Sequence, residues 1–344
     1  MSNLINIREF LTLKKEIPLI DVRSPSEFKQ GHIPGAINIP LFNDDERATI
    51  GKLYKHSGQK EAILTGLDIA GKKIRVLAES AIKSAANKKL IVHCWRGGMR
   101  SSTMAWLFET CGIQCNVLTG GYKSYRNYIR EFFCLPFNFL VLGGMTGSGK
   151  SAILDELEGM SFQVLKLEEI SHHKGSVFGN LGESPQSTNE QFENDLFNVL
   201  SQFDIKEPIF VEDESRNIGQ NIIPPELFYK MSNSRLIVIE MDKELRISRL
   251  VKDYGKFANQ ELIMCIEKIS KRLGGRNTQS AISSIEDGRP EDAVSIILYY
   301  YDKTYHYGLS QKKNSEIIKI ILSGTEAKIN TVKILEVLRN KNII

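Results

Sequence analysis

The chain has 344 residues, only five cysteines and two tryptophans, and no long apolar run. Each shortage excludes something. The longest hydrophobic candidate, Phe132–Leu142, is short and interrupted by Pro136 and Asn138. A membrane-spanning helix, which needs about 20 apolar residues, is therefore not expected. The opening Met1-Ser-Asn-Leu-Ile-Asn-Ile lacks a basic segment leading to a small-residue cleavage site, so no secretory signal is expected and a cytoplasmic location is. The cysteines, at positions 94, 111, 115, 134 and 265, are odd in number and form no paired framework, which argues against a disulfide scaffold. Cys111 and Cys115 have no further Cys or His nearby to complete a metal site and read as small buried hydrophobes. A net charge of +4 permits a nucleic-acid surface without demanding one. No internal repeat or low-complexity tract is present.

What is there is an ordinary globular composition, 42% hydrophobic and 25% charged, on a chain too long for one typical core. Short buried strands (Leu19–Arg23, Leu90–His93, Val117–Leu118, Phe137–Leu142, Ile209–Asp213, Arg235–Glu240) alternate with helical segments. That alternation predicts α/β architecture with parallel sheets and ligand chemistry beyond the strand C-terminal ends. The expected division is a first domain over 1–125, a linker over 126–136, a second domain over 137–275 and a mainly helical region over 276–344. Asn189–Phe203 reads as an amphipathic helix with Phe192, Leu196, Leu200 and Phe203 on one face.

Two loops carry chemistry. The first is Leu90-Ile-Val-His-Cys-Trp-Arg-Gly-Gly-Met-Arg-Ser101, a strand end opening into a glycine-rich turn. Backbone N–H groups of such a turn, the start of the next helix and nearby guanidiniums favour thiolate over thiol at Cys94. Gly97 and Gly98 allow close approach, Arg96 and Arg100 are candidate anion donors, and Ser101 is a candidate cap of the following helix. Trp95 is equally suited to covering the site, stacking on a base or packing. The pattern His93-Cys-x-x-Gly-x-x-Arg-Ser101 also fits a cysteine-phosphatase loop, in which the thiolate attacks phosphorus.

The second loop is Gly144-Met-Thr-Gly-Ser-Gly-Lys-Ser151, between a hydrophobic strand and a helix, which is both the pattern and the context of a Walker A loop. Gly144, Gly147, Ser148, Gly149, Lys150 and Ser151 are the expected phosphate or diphosphate contacts, with backbone donors wrapped around the anion at a helix N-terminus. Glu212 and Asp213, ending the strand Ile209–Asp213, are candidate acids for a metal or its waters. Ser151 and Asp213 are the candidate ligands of a Mg²⁺ ion, and no tightly bound cofactor is expected. Between these elements, His173 and Lys174 in His172-His-Lys-Gly-Ser-Val-Phe-Gly179 form a candidate clamp on phosphate or nucleic-acid backbone. Arg216, Arg272 and Arg276 are further candidate anion contacts.

The segment Ile20-Asp-Val-Arg-Ser-Pro-Ser-Glu-Phe-Lys-Gln-Gly-His-Ile-Pro-Gly-Ala-Ile-Asn-Ile-Pro40 resembles the opening signature of the rhodanese family, and Cys94–Ser101 with Gly120-Gly-Tyr122 resembles its active loop and close. This favours chalcogen transfer over phosphatase chemistry. It also implies that Asp21 and Arg23 brace the fold and that His32 stabilises a turn. A rhodanese domain followed by a P-loop domain, together with His173-Lys-Gly-Ser176, Pro185-Gln-Ser and Glu212-Asp-Glu-Ser-Arg216, closely resembles the tRNA 2-selenouridine synthase family over nearly the whole chain. Lys174 departs from that pattern, where arginine is usual, and so loses bidentate phosphate geometry. The run Pro185-Gln-Ser-Thr is also slightly altered.

The resemblance implies an enzyme that replaces sulfur by selenium in a wobble 2-thiouridine of tRNA, with selenophosphate as donor. It further implies an intermediate S-geranylated from geranyl diphosphate. Cys94 would then serve selenation, as a perselenide carrier or by assisting delivery, and the P-loop would serve geranylation by binding diphosphate. Taken separately, the motifs also fit an ATP-dependent sulfurtransferase or kinase–sulfurtransferase fusion, or a nucleotide-sensing or redox-sensing module without catalysis. No membrane partner is expected.

Overall fold

The computed structural model describes residues 2–312 and 316–344, which form two compact units. The first comprises Met1–Phe132 with Glu193–Asn198, the second Phe133–Phe192 with Val199–Ile344. Among the described residues no helix is long and apolar enough to cross a membrane.

In the first unit the strands are β1 (Asn3–Ile5), β2 (Leu19–Asp21), β3 (Ile37–Asn38), β4 (Lys89–His93) and β5 (Gln114–Leu118). They form one parallel sheet in the order β1-β5-β4-β2-β3. Both faces are covered, by α1 (Ile7–Leu13), α2 (Pro25–Gln30), α3 (Asp44–His56), α4 (Gln59–Gly71), α5 (Ile74–Ser84), α6 (Met99–Thr110) and α7 (Gly121–Phe132). Ser24 and Glu27 cap α2 reciprocally, with Pro25 at its first position, so the local sequence alone fixes where this helix begins. Leu90, Val92, Phe108, Cys115 and Val117 lie in the core between sheet and helices.

In the second unit, β6 (Phe139–Gly144), β7 (Gln163–Leu165), β8 (Ile209–Glu212), β11 (Arg235–Met241) and β12 (Ile317–Leu322) make a parallel sheet ordered β12-β11-β6-β8-β7. A small antiparallel pair joins β9 (Asn217–Ile218) to β10 (Asn221–Ile222). The helices are α8 (Lys150–Gly159), α9 (Leu167–Ser171), α10 (Asn189–Leu200, of which Glu193–Asn198 belongs to the first unit), α11 (Pro225–Asn233) and α12 (Lys243–Tyr254), then α13 (Asn259–Lys268), α14 (Ser270–Leu273), α15 (Gly275–Glu286), α16 (Pro290–Gln311) and α17 (Ala327–Asn340). The order reversal around β6 puts the loop after it at the switch point where α/β sheets bind ligands.

Two expectations are corrected, and a third is refined. Residues 126–132 are not linker: α7 runs on to Phe132 because Tyr122, Tyr125 and Ile129, one helical turn apart, are buried along one face. The region 276–344, mainly helical, also holds one strand. Its Ile318, Ile320 and Leu322 are buried alternately with exposed Ile317, Lys319 and Ile321, the period of a strand, and β12 closes one sheet edge. The domains are also not sequence-continuous, because Glu193–Asn198 belongs to the first unit. There the Asn194 side-chain amide donates to the His32 carbonyl and the Tyr122 hydroxyl, both at 2.8 Å.

Candidate active site

In the first unit, β4 delivers Cys94 to the C-terminal edge of the sheet, and α6 starts five residues later at Met99. The turn between them is locked by α7. The N–H groups of Tyr122 and Lys123 donate to the carbonyls of Cys94 and Trp95, both at 2.9 Å. Gly97 and Gly121 have positive φ and face each other across this contact. A Cβ on Gly121 would stand 2.3 Å from the Cys94 carbonyl oxygen, and one on Gly97 would stand 2.3 Å from the Leu118 carbonyl oxygen. The closing Gly120-Gly-Tyr122 therefore sets the shape of the cysteine loop.

Cys94 is buried, with its sulfur 3.3 Å from the Ser101 hydroxyl. Burial pushes the thiol pKa up. The Ser101 hydroxyl, the Arg96 N–H, the Arg100 guanidinium and the Ser101 N–H together outweigh it and hold the thiol below its ordinary 9.0. Cys115, one strand away, has no such donors; burial and Glu109 push it up to about 12. Ser101 is not the cap of α6. It sits inside the first turn, its hydroxyl 2.9 Å from the Gly98 carbonyl and 3.3 Å from the sulfur; its single proton can turn to either, and when it donates to the sulfur it favours the thiolate.

Arg96 is exposed, whereas Arg100 is partly enclosed and donates to the Glu27 carboxylate at 2.7 Å. Glu27 also faces Arg47 at 3.6 Å. Arg100, a candidate anion donor, acts on the sulfur through its charge while two of its N–H groups meet the α2 carboxylate. Sequence reading did not connect these residues, because the pair joins positions 73 apart.

Behind the loop, Asp21 and Arg23 are fully buried and joined by bonds of 2.6 to 3.0 Å, with Arg23 also donating to the Gly31 carbonyl at 2.7 Å. The Arg23 guanidinium lies 3.9 Å from the Tyr122 ring centroid. This is the brace implied by the rhodanese resemblance; removing one partner of such a pair costs about 3–5 kcal/mol. His93, 3.7 Å from Asp21, is fully buried and its pKa is lowered by burial first, so at neutral pH it is uncharged. His32 stacks on Phe28 at 3.9 Å and bonds the Phe28 carbonyl at 3.0 Å, as a turn-stabilising residue should. Trp95 is partly exposed, 5.6 Å from Tyr122 between ring centroids.

In the second unit, β6 feeds the Walker A loop and Gly149, left-handed, precedes α8. The backbone at Gly149 is approached so closely by the Arg249 guanidinium of α12 that a Cβ there would lie 1.6 Å from it. Arg249 itself donates to the Thr325 carbonyl at 2.6 Å, and the neighbouring Arg246 makes a two-point ion pair with Asp302 at 2.8 Å. Sequence reading singled out neither arginine, since nothing local distinguishes them from helix-surface cations. Lys150 donates to the Gly144 carbonyl at 3.1 Å, and the buried Ser148 hydroxyl has no partner.

Carboxylates collect around this loop. Ser151 donates to Glu168 at 3.1 Å, and the Glu168 N–H donates to Glu212 at 3.0 Å. Burial and the nearby Glu168 push Glu212 up to about 8, and the same two causes push Glu214 up to about 8. Asp213, expected as a metal ligand, is instead paired with Lys312. Among the described residues no group of three or more His, Cys, Asp or Glu side chains is arranged to hold a metal. Ser151 with Glu168 and Glu212 nevertheless fits Mg²⁺, which takes one or two protein oxygens and completes its shell from waters and phosphates.

The residues of the expected clamp have partners within the chain. Lys174 is paired with Glu183 at 2.9 Å, and its N–H closes a turn onto the Gly179 carbonyl at 3.0 Å. His173 is held to the uncharged form chiefly by loss of water. Gln186 ties this segment down by donating to Ser171, Ile218 and Asn221 at 2.8 to 3.0 Å, which gives the Pro185-Gln-Ser run a structural role. Arg216 is exposed just past β8, while Arg272 and Arg276 are exposed on α14 and α15.

The matches to known families follow this division. Residues 7–128 match the rhodanese-like domain model, and residues 137–336 match the tRNA 2-selenouridine synthase AAA domain model. The chain belongs to the tRNA 2-selenouridine synthase family. A tRNA 2-selenouridine synthase from Bdellovibrio bacteriovorus is 32% identical, over 91% of this chain and 93% of that protein. Another from Shewanella denitrificans is 33% identical, over 88% and 91%. Among solved structures, a rhodanese-like domain protein from Staphylococcus aureus is 21% identical and covers 36% of this chain and 91% of its own, with a TM-score of 0.24. As a member of the tRNA 2-selenouridine synthase family, the chain joins a rhodanese domain to a P-loop-like domain, the order its motifs implied.

Proposed function

We propose that this protein makes 2-selenouridine at the wobble position of thiolated tRNA in the cytoplasm, taking selenium from selenophosphate through an S-geranyl intermediate. The carrying observation is the Cys94 thiol, held below its ordinary pKa among anion donors, in a chain that also has a phosphate loop. A binding module has no need of such a thiol.

Chemistry orders the steps. A thiocarbonyl sulfur leaves poorly, and alkylation makes it a thiol leaving group. The sulfur attacks the allylic carbon of geranyl diphosphate; a carbon–sulfur bond forms, the carbon–oxygen bond breaks and diphosphate departs. Gly147, Gly149 and Lys150 are the residues suited to stabilise that departing charge. A bound Mg²⁺ would neutralise diphosphate oxygens, held by Ser151 with Glu168 and Glu212. Selenium then replaces the alkylthio group at C2, so that geranyl thiol and, with water, phosphate are released.

Selenium in selenophosphate is already at the selenide level. Making a perselenide on Cys94 from it would need a two-electron oxidant, whereas direct substitution needs none. The role of Cys94 is therefore delivery, acting beside the donor anion with Arg96 and Arg100, rather than storage. The test is mass analysis of the wobble nucleoside after thiolated tRNA is incubated with geranyl diphosphate and selenophosphate, separately and together. Geranylated nucleoside is expected with the first alone and selenouridine with both. Cys94→Ser should accumulate the geranylated form without selenouridine. ATP turnover with sulfur insertion and no selenium requirement would overturn the reading in favour of an ATP-dependent sulfurtransferase.

A further inference from the structure

The first unit holds a cavity of about 1190 Å³ whose wall includes Cys94, Arg96 and Arg100. Ligand pockets commonly measure about 300–1,000 Å³, so this is a large one. Most of its wall comes from α3 and α4, two of the three α-helices between β3 and β4. The lining is mainly apolar, with Phe42, Ile50, Tyr54, Ile63, Leu67 and Met99 among it. Helix α3 has no buried residue over 13 positions, and α4 buries only Ala62 and Gly66. Leu67, Tyr54 and Met99 stay 57%, 58% and 56% exposed. Large apolar side chains left open around one concavity mark a binding site rather than core.

We infer that this cavity takes the branched hydrocarbon chain of the S-alkylated nucleoside, so that the Cys94 step selects its substrate by the alkyl group. Three observations choose this occupant. The wall contains the activated thiol, so the occupant is the reacting molecule and not a remote partner. Arg96 and Arg100 line the cavity together with that thiol, where the selenium donor's anion belongs, and α3 and α4 add Ile50, Tyr54, Ile63 and Leu67 to its wall. Those helices line the cavity mainly with carbon, which suits a hydrocarbon and offers little to the imide edge of a base. An unalkylated thiouridine would leave the apolar part unused. The inference rests on the S-geranyl reading above and adds a specificity site to it.

The test uses the full chain with selenophosphate and tRNA carrying 2-thiouridine, S-methyl-2-thiouridine or S-geranyl-2-thiouridine. The wild type is expected to prefer the geranyl over the methyl substrate by about tenfold or more in kcat/KM. Leu67→Asp and Tyr54→Asp, both at exposed helix positions, should raise KM for the geranyl substrate and abolish that preference. Their turnover of the methyl substrate should fall far less than that of the geranyl substrate, a selective loss that a merely misfolded variant could not show. Equal use of methyl and geranyl substrates by the wild type, or an intact preference in both variants, would overturn the cavity assignment alone. Conversion of unalkylated tRNA as fast as geranylated tRNA would overturn the S-geranyl reading and this inference with it.

Discussion

The cysteine loop and the phosphate loop share one construction, a buried parallel strand, a glycine-rich turn and a helix N-terminus, yet their surroundings have opposite electrical character. Around Cys94 the close neighbours are donors and a guanidinium, and a buried thiol is held below 9.0 against its own desolvation. Around Lys150 the neighbours include Glu168, Glu212 and Glu214, and two carboxyls are pushed up to about 8. The difference teaches what each loop is built to hold. The first stabilises an anion belonging to the chain itself. The second crowds acids beside a phosphate cradle, an arrangement suited to an anion that arrives with a cation.

The sharpest way to break this comparison is at Lys150. If the second loop is the site of diphosphate departure, Lys150→Ala should slow geranylation by about 10²–10³-fold, in the range seen when one oxyanion donor is removed. Selenation of tRNA supplied already geranylated should be unaffected. Undiminished geranylation, read by nucleoside mass analysis, would dissolve the division of labour between the loops.

A smaller effect is expected at Ser101. Its hydroxyl, 3.3 Å from the sulfur, is first among the groups opposing desolvation of Cys94. Ser101→Ala should raise the thiol pKa and slow iodoacetamide alkylation of Cys94 at neutral pH by several-fold, about 1 kcal/mol for one hydrogen bond. Peptide mass spectrometry across pH reads this, with the inert Cys115 as internal control. An unmoved pH profile would show that Arg100 and the backbone suffice.

The smallest effect is on stability at Glu212. Its folded pKa of about 8 lies above the ordinary 4.5, so between those values the folded chain holds a proton that the unfolded chain has lost. Stability of the second unit therefore falls as pH rises through that window and levels off above it. Glu212→Gln should flatten the slope, leaving the variant more stable near pH 8 by about 1 kcal/mol, some 2–4 °C in melting temperature. Identical pH dependence in the two proteins would move the proton to another group.

Legibility tracked the range of the interaction. Local pattern sufficed for the two loops, for the α2 cap and for the buried strands, because each is a property of a few consecutive residues. It failed for the end of α7, where helical spacing ran into a polar stretch, and for β12, whose period of two was hidden in a mostly helical region. It failed most at pairings. Arg100 looked available until α2 brought Glu27 to it, Lys174 until its loop turned to Glu183, and Asp213 until Lys312 met it. The cavity was equally hidden, because the apolar residues of α3 and α4 acquire meaning only from the space they enclose.

By itself, then, the sequence determined two domains with parallel sheets, the order of their glycine-rich loops, and the candidate thiol and candidate phosphate loop they carry. Those follow from covalent neighbours, through strand hydrophobicity, glycine freedom and helix starts. Only the tertiary structure decided which charges are spent on each other, which acids keep their protons and where an apolar chain can lie. Those depend on distances between residues far apart in sequence and on how much water is left between them.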